Sequence, residues 1–175
     1  HYVLQPQASF VLIDQSSGYV KALSGGRGQK EVSRSLNRAT NTLRQPGSTF
    51  KVITSFAPAI DTCGATLGSV YYDAPYTMGT KTFRNWYSSK GYMGYSTIRD
   101  GIVYSMNIVA VRTMMETVSP QLGVEYAKNF GITTLTDTDM NAATALGGIT
   151  NGVTNLELTA AYATIANSGT YIKPK

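Results

Sequence analysis

Strand-forming residues cluster in two short stretches near the start of the chain, residues 9–14 and 19–23. Residues 15–18 between them have the length of an ordinary hairpin connection, and Gly18 tolerates a positive φ. The pattern therefore predicts an antiparallel β-hairpin. Residues 29–44 are polar and show neither a strand nor a helix period, which predicts an extended loop.

A helical period begins at Ser48. From there to about Cys63, apolar side chains recur three and four residues apart, which predicts a helix with one buried face. Pro58 lies inside this run, so we expect a kink or an earlier helix end near Phe56. Ser48 is then placed in the first turn of the helix.

Four further helices are predicted, at residues 97–104, 107–118, 120–130 and 154–167. Gly131 is a typical C-cap for the third, while Thr154 and Glu157 have the spacing of a capping box at the start of the fourth. Residues 71–95 contain six tyrosines and Trp86 with no clear period, which predicts a long ordered loop. Its rings either pack the loop onto the domain or stack on a carbohydrate or peptide.

The composition fits one domain with a hydrophobic core, since 42% of the 175 residues are hydrophobic. No apolar run approaches the roughly 18 residues that span a bilayer. We expect any targeting or anchoring segment upstream of residue 1. The net charge of +5 comes from 15 scattered Lys and Arg residues, which does not favour nucleic-acid binding. A mild positive field suits an anionic, carboxylate-bearing substrate instead.

Cysteine and histidine are too scarce to build several common sites. Cys63 is the single cysteine, which excludes an internal disulfide and a multi-cysteine zinc site. His1 is the single histidine, which excludes a Ser-His-Asp triad and a histidine metal site within the chain. We therefore expect no metal or cofactor, and any nucleophile must have a base other than histidine.

Ser48 and Lys51 form a Ser-x-x-Lys pattern at the start of the first predicted helix. Residues three apart on a helix lie on one face, with Cβ atoms about 5–6 Å apart, so the two side chains can interact. The helix N-terminus stabilises a developing oxyanion, and with burial it lowers the pKa of a lysine. Lys51 is thus a candidate base for Ser48. An N-capping serine followed by a solvated lysine is the alternative, and spacing alone does not decide between them.

A Ser-x-Asn pattern occurs twice, at residues 35–37 and 105–107. The second falls at the junction of two predicted helices, where a short break can point Ser105 and Asn107 into a cleft. The alternative for Ser105 is a plain N-cap.

Residues 44–51 (RQPGSTFK) resemble the active-site motif of class A penicillin-binding proteins, whose elements are Ser-x-x-Lys, Ser-x-Asn and Lys-Thr-Gly. The resemblance continues in the same order over nearly the whole chain, at residues 12–23, 37–40 (NRAT), 99–107, 145–148 (ALGG), 152–158 and 166–169. It implies the α/β (α+β) penicillin-recognising serine transpeptidase fold. We expect a helical subdomain beside the first hairpin of an antiparallel sheet.

The resemblance also implies a function, that of a peptidoglycan D,D-transpeptidase that is acylated at Ser48 by stem peptides and by β-lactams. It gives Lys51 the role of accepting the Ser48 proton, Ser105 that of relaying a proton to the leaving nitrogen, and Asn107 that of binding Lys51 or the substrate amide. The Ser48 N–H is expected to be one oxyanion donor. A β-lactam sensor or inactive scaffold, and a D,D-carboxypeptidase, remain alternatives. The expected location is the extracytoplasmic face of the bacterial cell membrane.

The third motif of the family is absent, because Lys81-Thr82 is followed by Phe83 and precedes the Ser-x-Asn element. We therefore expect the N-terminal part of one transpeptidase domain, with a hairpin and loop at 1–28, a mainly helical subdomain at 29–168, and a return toward missing strands at 169–175. Alone, it is expected to be inactive. The expected partner is a C-terminal segment that carries Lys-Thr-Gly, and membrane contact is expected only through a segment outside this chain.

Overall fold

The computed structural model describes residues 5–29 and 32–175, so His1 lies outside the described residues. Two compact units can be distinguished. The hairpin unit consists of the described part of His1–Gln45 with Asn129–Thr134 and Asn151–Lys175, and the helical unit consists of Pro46–Lys128 and Leu135–Thr150.

The described residues form six short strands and five helices. The strands are β1 (Phe10–Ile13), β2 (Val20–Ser24), β3 (Val70–Asp73), β4 (Tyr76–Met78), β5 (Lys81–Phe83) and β6 (Gly94–Thr97). Helix α1 runs without a break through a 3-10 turn (Gly47–Thr49), a π-helical part (Val52–Phe56) and an α-helical part (Ala57–Asp61). The others are α2 (Ile98–Val103), α3 (Asn107–Arg112, continued by the π-helical Thr113–Val118), α4 (Pro120–Asn129) and α5 (Asn155–Ala166). Single 3-10 turns lie at Ser88–Lys90, Asp137–Asp139 and Thr144–Leu146.

The hairpin unit is built on the predicted antiparallel hairpin. Strands β1 and β2 pair from Phe10 opposite Ser24, and Gly18 takes a φ of +74° in the connection. Helix α5 packs on β1, and Asn155 donates its side-chain N–H to the Ser9 carbonyl at 3.2 Å. At the end of the chain, Lys175 accepts from the N–H of Val20 at 2.9 Å.

Helix α1 carries the core of the helical unit. Phe50, Ile53 and Phe56 are fully buried, which confirms the predicted apolar face. The expected helix end near Phe56 is wrong, because the helix continues to Asp61. Pro58 has no N–H to donate within the helix, and it lies two residues beyond the π-helical part, next to the change in the hydrogen-bonding pattern of the helix.

The predicted long loop at residues 71–95 is also wrong, because four short strands lie within or overlap this segment. Strand β3 pairs with β6, and β4 pairs with β5, both antiparallel. In β3 the side chain of Tyr71 is buried while that of Tyr72 is exposed, so the same residue type faces both sides. Strands of three or four residues with tyrosine on both faces show no polar–apolar alternation in the sequence.

The predicted helix limits agree closely with the structure elsewhere. The side chain of Thr154 accepts from the Glu157 N–H, and the Glu157 carboxylate accepts from the Thr154 N–H, which confirms the capping box. Gly131 follows α4 with a φ of +92°, as a C-cap requires.

Candidate active site

Ser48 lies in the 3-10 turn that opens α1, and its side chain is exposed. Gly47 before it has a φ of +56°, which lets the chain turn sharply into the helix. The backbone of Gly147 packs against this turn so closely that a Cβ at Gly147 would lie only 2.3 Å from the Gly47 carbonyl oxygen. Two glycine backbones in contact therefore hold the residue before Ser48.

Lys51 is one helical turn beyond Ser48 but is only 2% exposed. Its Nζ donates to the Ser105 carbonyl at 2.6 Å and to the Ser105 Oγ at 3.0 Å. Burial lowers the pKa of Lys51 to about 8 from its ordinary value of 10.5. A solvated lysine, the alternative left open by the sequence, does not describe this side chain.

Ser105 lies in the break between α2 and α3. It takes a φ of +50°, a left-handed conformation that is uncommon for a residue other than glycine. The break is closed by a hydrogen bond from the Met106 N–H to the Gly101 carbonyl at 2.9 Å. This conformation directs both the carbonyl and the Oγ of Ser105 to Lys51, so Ser105 is not a simple N-cap. Strained residues of this kind often cluster at functional sites.

Asn107 is the first residue of α3, and its side-chain Nδ2 donates to the Arg84 carbonyl at 2.9 Å. In the described part of the chain, both hydrogen bonds of Lys51 Nζ go to Ser105 and none goes to Asn107. Of the two partners expected for Asn107, Lys51 is therefore not bound here, and binding of a substrate amide stays a prediction.

The structure thus joins Lys51 and Ser105 directly, with Ser48 one turn before Lys51 and Asn107 two residues after Ser105. Sequence reasoning missed Asn85, whose buried side chain accepts from the backbone N–H groups of Asn107 and Ile108 at 2.8 and 3.1 Å. No spacing in the sequence signals this contact, because Asn85 is 22 residues before Asn107.

Next to this site, Trp86 donates its indole N–H to the Tyr104 carbonyl at 3.1 Å, which fixes an exposed aromatic ring beside the residue that precedes Ser105. A cavity of about 260 Å³ opens there. It is lined by Trp86, Tyr87, Lys90, Tyr92, Met93 and Tyr104. The aromatic rings of the 71–95 segment therefore have two kinds of surroundings: Tyr71 packs into the core, whereas Trp86 lines a cavity.

Across residues 5–29 and 32–175, no cluster of three or more His, Cys, Asp and Glu side chains could hold a metal ion. In the same part of the chain, no helix has the length and apolarity to cross a membrane.

Comparison with known sequences decides the family. The profile of the penicillin-binding protein transpeptidase domain matches residues 8–175. The chain belongs to this family. Penicillin-binding protein 1A of Clostridium tetani is 38% identical over 186 residues, which cover 98% of this chain and 23% of that protein. Penicillin-binding protein 1F of Bacillus subtilis is 38% identical over 168 residues, which cover 96% of this chain and 22% of that protein. The chain spans less than a quarter of either relative.

Solved structures agree with this assignment. Penicillin-binding protein 1A from Haemophilus influenzae superimposes with a TM-score of 0.82 at 30% identity, over 97% of this chain and 24% of that one. PonA1 from Mycobacterium tuberculosis gives a TM-score of 0.80 at 26% identity, over 97% of this chain and 44% of that one. The predicted α+β transpeptidase fold is confirmed.

Proposed function

We propose that this chain carries the nucleophile of a peptidoglycan D,D-transpeptidase and forms an acyl-enzyme at Ser48. The strongest support comes from Lys51, which lies one helical turn beyond Ser48. Its side chain is buried and hydrogen-bonded to Ser105, and its pKa is lowered to about 8. A lysine whose pKa is lowered by burial, one helical turn from a serine, can accept the proton of the serine hydroxyl without histidine.

In the proposed acylation step, Ser48 Oγ attacks the carbonyl of the penultimate D-alanine of a stem peptide, and its proton passes to neutral Lys51. The C–N bond then breaks, and Ser105 delivers a proton to the leaving nitrogen of the terminal D-alanine. The 3.0 Å contact between Lys51 Nζ and Ser105 Oγ gives the proton a direct path from one group to the other. An amine from a neighbouring stem then attacks the ester and restores Ser48. A β-lactam acylates the same hydroxyl by opening its ring.

In this proposal, two donors from different parts of the protein stabilise the oxyanion. The Ser48 N–H, in the first turn of α1, supplies one donor, because the first N–H groups of a helix have no intrahelical acceptor. The second donor and the anchor for the substrate carboxylate come from a C-terminal partner segment with Lys-Thr-Gly, a motif that the 175 residues do not contain. Asn107 binds the substrate amide, and the protein acts at the extracytoplasmic face of the membrane, where peptidoglycan is assembled.

The test is labelling of the full-length protein with a fluorescent penicillin. Ser48→Ala is expected to abolish covalent labelling, and Ser89→Ala, which changes an exposed serine of the same unit, is expected to leave it unchanged. Retained labelling of a folded Ser48→Ala protein contradicts the proposal.

Product analysis with a donor stem peptide, with and without an amine acceptor, distinguishes the three alternatives. A transpeptidase forms the cross-linked product with the acceptor, a carboxypeptidase releases the hydrolysed peptide, and a sensor forms neither product.

A second test concerns the partner segment. Residues 1–175 expressed alone are expected to acylate at least about 10²–10³-fold more slowly than the full-length protein, because one oxyanion donor is missing. Equal acylation rates for the two forms would show that the site needs no Lys-Thr-Gly segment.

A further inference from the structure

The start of α3 has no cap from its own residues. The backbone N–H groups in the first turn of a helix need acceptors from outside the helix. The residue before α3 is Met106, whose side chain has no oxygen and makes no capping hydrogen bond. The Asn85 Oδ1 supplies the acceptor instead and takes both the Asn107 N–H and the Ile108 N–H.

The Asn85 amide is held in one orientation. Its Nδ2 donates to the Asp73 Oδ1 at 2.6 Å, so its oxygen end must face α3. The Asp73 carboxyl group also accepts from the Met93 N–H at 2.9 Å and from the Tyr87 hydroxyl at 3.3 Å. Burial, together with Asp73, raises the pKa of Tyr87, which keeps its hydroxyl a donor. Asp73 and Asn85 are only 1% and 3% exposed, so these contacts lie away from bulk solvent, where a hydrogen bond is electrostatically stronger.

The segment that carries Asn85 contacts the Ser-x-Asn segment at more than one point. The same loop that presents Asn85 also provides the Arg84 carbonyl, which accepts from the Asn107 side chain. Asn107 is thereby held by its backbone and by its side chain, two residues after Ser105. With the start of α3 fixed, the left-handed break at Ser105 keeps its two contacts with Lys51.

We propose that Asn85 is a positioning residue for Ser105 and Asn107: its buried amide, oriented by Asp73, caps α3 and so fixes the break that places Ser105 against Lys51. The roles of Ser105 and Asn107 rest on the proposed function, whereas the capping itself does not. A displacement of catalytic groups by about 1 Å can cost about 100-fold in rate, so loss of this cap should be visible in acylation.

The test compares Asn85→Ala with Thr154→Ala in the full-length protein. Thr154 caps α5 in the hairpin unit, so its replacement also removes a helix cap but leaves α3 intact. With a fluorescent penicillin, Asn85→Ala is expected to lower the limiting acylation rate by about 10- to 100-fold, with a much smaller change in the half-saturating concentration. Thr154→Ala is expected to lower the melting temperature but to keep the wild-type limiting rate.

Hydrogen exchange provides a readout that needs no activity. Amides of residues 105–112 are expected to exchange faster in Asn85→Ala than in the wild type or in Thr154→Ala. A folded Asn85→Ala protein with the wild-type acylation rate and exchange overturns the proposal. If Asn85→Ala does not fold, Asn85→Leu decides, because it keeps the approximate size and shape of the side chain but removes the oxygen that accepts from α3; wild-type rate and exchange in that variant would equally overturn the proposal. Labelling of Ser48→Ala would count against the proposed function, while the exchange result would still decide the capping.

Discussion

The two Ser-x-Asn segments of this chain have the same spacing and entirely different surroundings. In the first, Ser35 is exposed, and Asn37 folds back so that its side-chain oxygen accepts from the Ala39 N–H at 3.0 Å. In the second, Ser105 is half-buried in a left-handed break and contacts a buried lysine. Asn37 forms a local turn, as asparagine commonly does, whereas Asn107 begins a helix capped by Asn85. Among the described residues, only the second of the two segments therefore lies against a group that can exchange a proton with its serine.

Lys51 is the partner that distinguishes the second segment, so replacing it should have the largest effect on the acylation rate. Lys51→Ala is expected to slow acylation by about 10²–10⁴-fold, the usual contribution of a positioned base. In the proposed mechanism the neutral amine of Lys51 is the base, so the acylation rate should rise as the pH increases through the lowered pKa of about 8, and level off above it. A pH–rate profile from stopped-flow labelling measures both.

Lys128→Ala is the matched control, since Lys128 is exposed and belongs to the same unit. This variant should keep both the rate and the inflection. If the inflection near pH 8 persists in Lys51→Ala, another group causes it, and Lys51 is not the base.

The two serines give a direct pairwise test of the comparison. Ser105→Ala is expected to lower the acylation rate by about 10- to 100-fold, less than Lys51→Ala, because the Ser105 carbonyl still accepts from Lys51. Ser35→Ala should leave the rate unchanged. Rates that fall equally in the two variants would show that the surroundings of Ser105 make no difference.

The glycines extend the comparison to the turn that holds Ser48. Gly147 and Gly64 have φ values of +72° and +70°, so an alanine is strained at both by about 1–2 kcal/mol. Only at Gly147 does the added Cβ overlap another backbone, that of Gly47, whereas nothing lies within 4 Å at Gly64. Gly147→Ala is therefore expected to lose about 1–3 kcal/mol more stability in thermal unfolding, and also to acylate more slowly. Equal losses of stability in Gly147→Ala and Gly64→Ala would mean that the turn at Gly47 accommodates the added Cβ without an energetic penalty.

The smallest effect is expected at Asn37. Asn37→Ala removes one partly buried hydrogen bond, which the Asn37 side-chain oxygen accepts from the Ala39 N–H, and should cost about 0.5–1.5 kcal/mol of unfolding free energy. Its acylation rate should match the wild type. A rate reduced as strongly as in Ser105→Ala would give the first Ser-x-Asn segment a role that its geometry does not suggest.

The sequence predicts best where the signal is local. The capping box of Thr154 and Glu157 needs only a spacing of three, and the apolar face of α1 needs only a helical period, and both are confirmed. Ser-x-x-Lys places Lys51 near Ser48 for the same reason. The family resemblance, carried by the order of several such motifs, correctly gave the fold.

What the sequence does not reveal depends on contacts between distant residues. Lys51 meets Ser105 across 54 positions, and Asp73 meets Asn85 through two buried side chains that carry no periodic signal. The φ of +50° at Ser105 is likewise set by the helices on either side, since serine has no preference for that conformation. The buried state of Lys51, and with it the lowered pKa, is a property of the packed unit alone.

The most direct test of the account locates the acyl group itself. After reaction of the full-length protein with benzylpenicillin, trypsin cleavage at Arg44 and Lys51 releases residues 45–51, whose hydroxyl groups belong to Ser48 and Thr49 alone. Fragmentation of this peptide by mass spectrometry is expected to place the penicilloyl group on Ser48, and the adduct should be absent from Ser48→Ala. An adduct on Thr49 or on another peptide, or a folded protein that forms no adduct, would contradict the account.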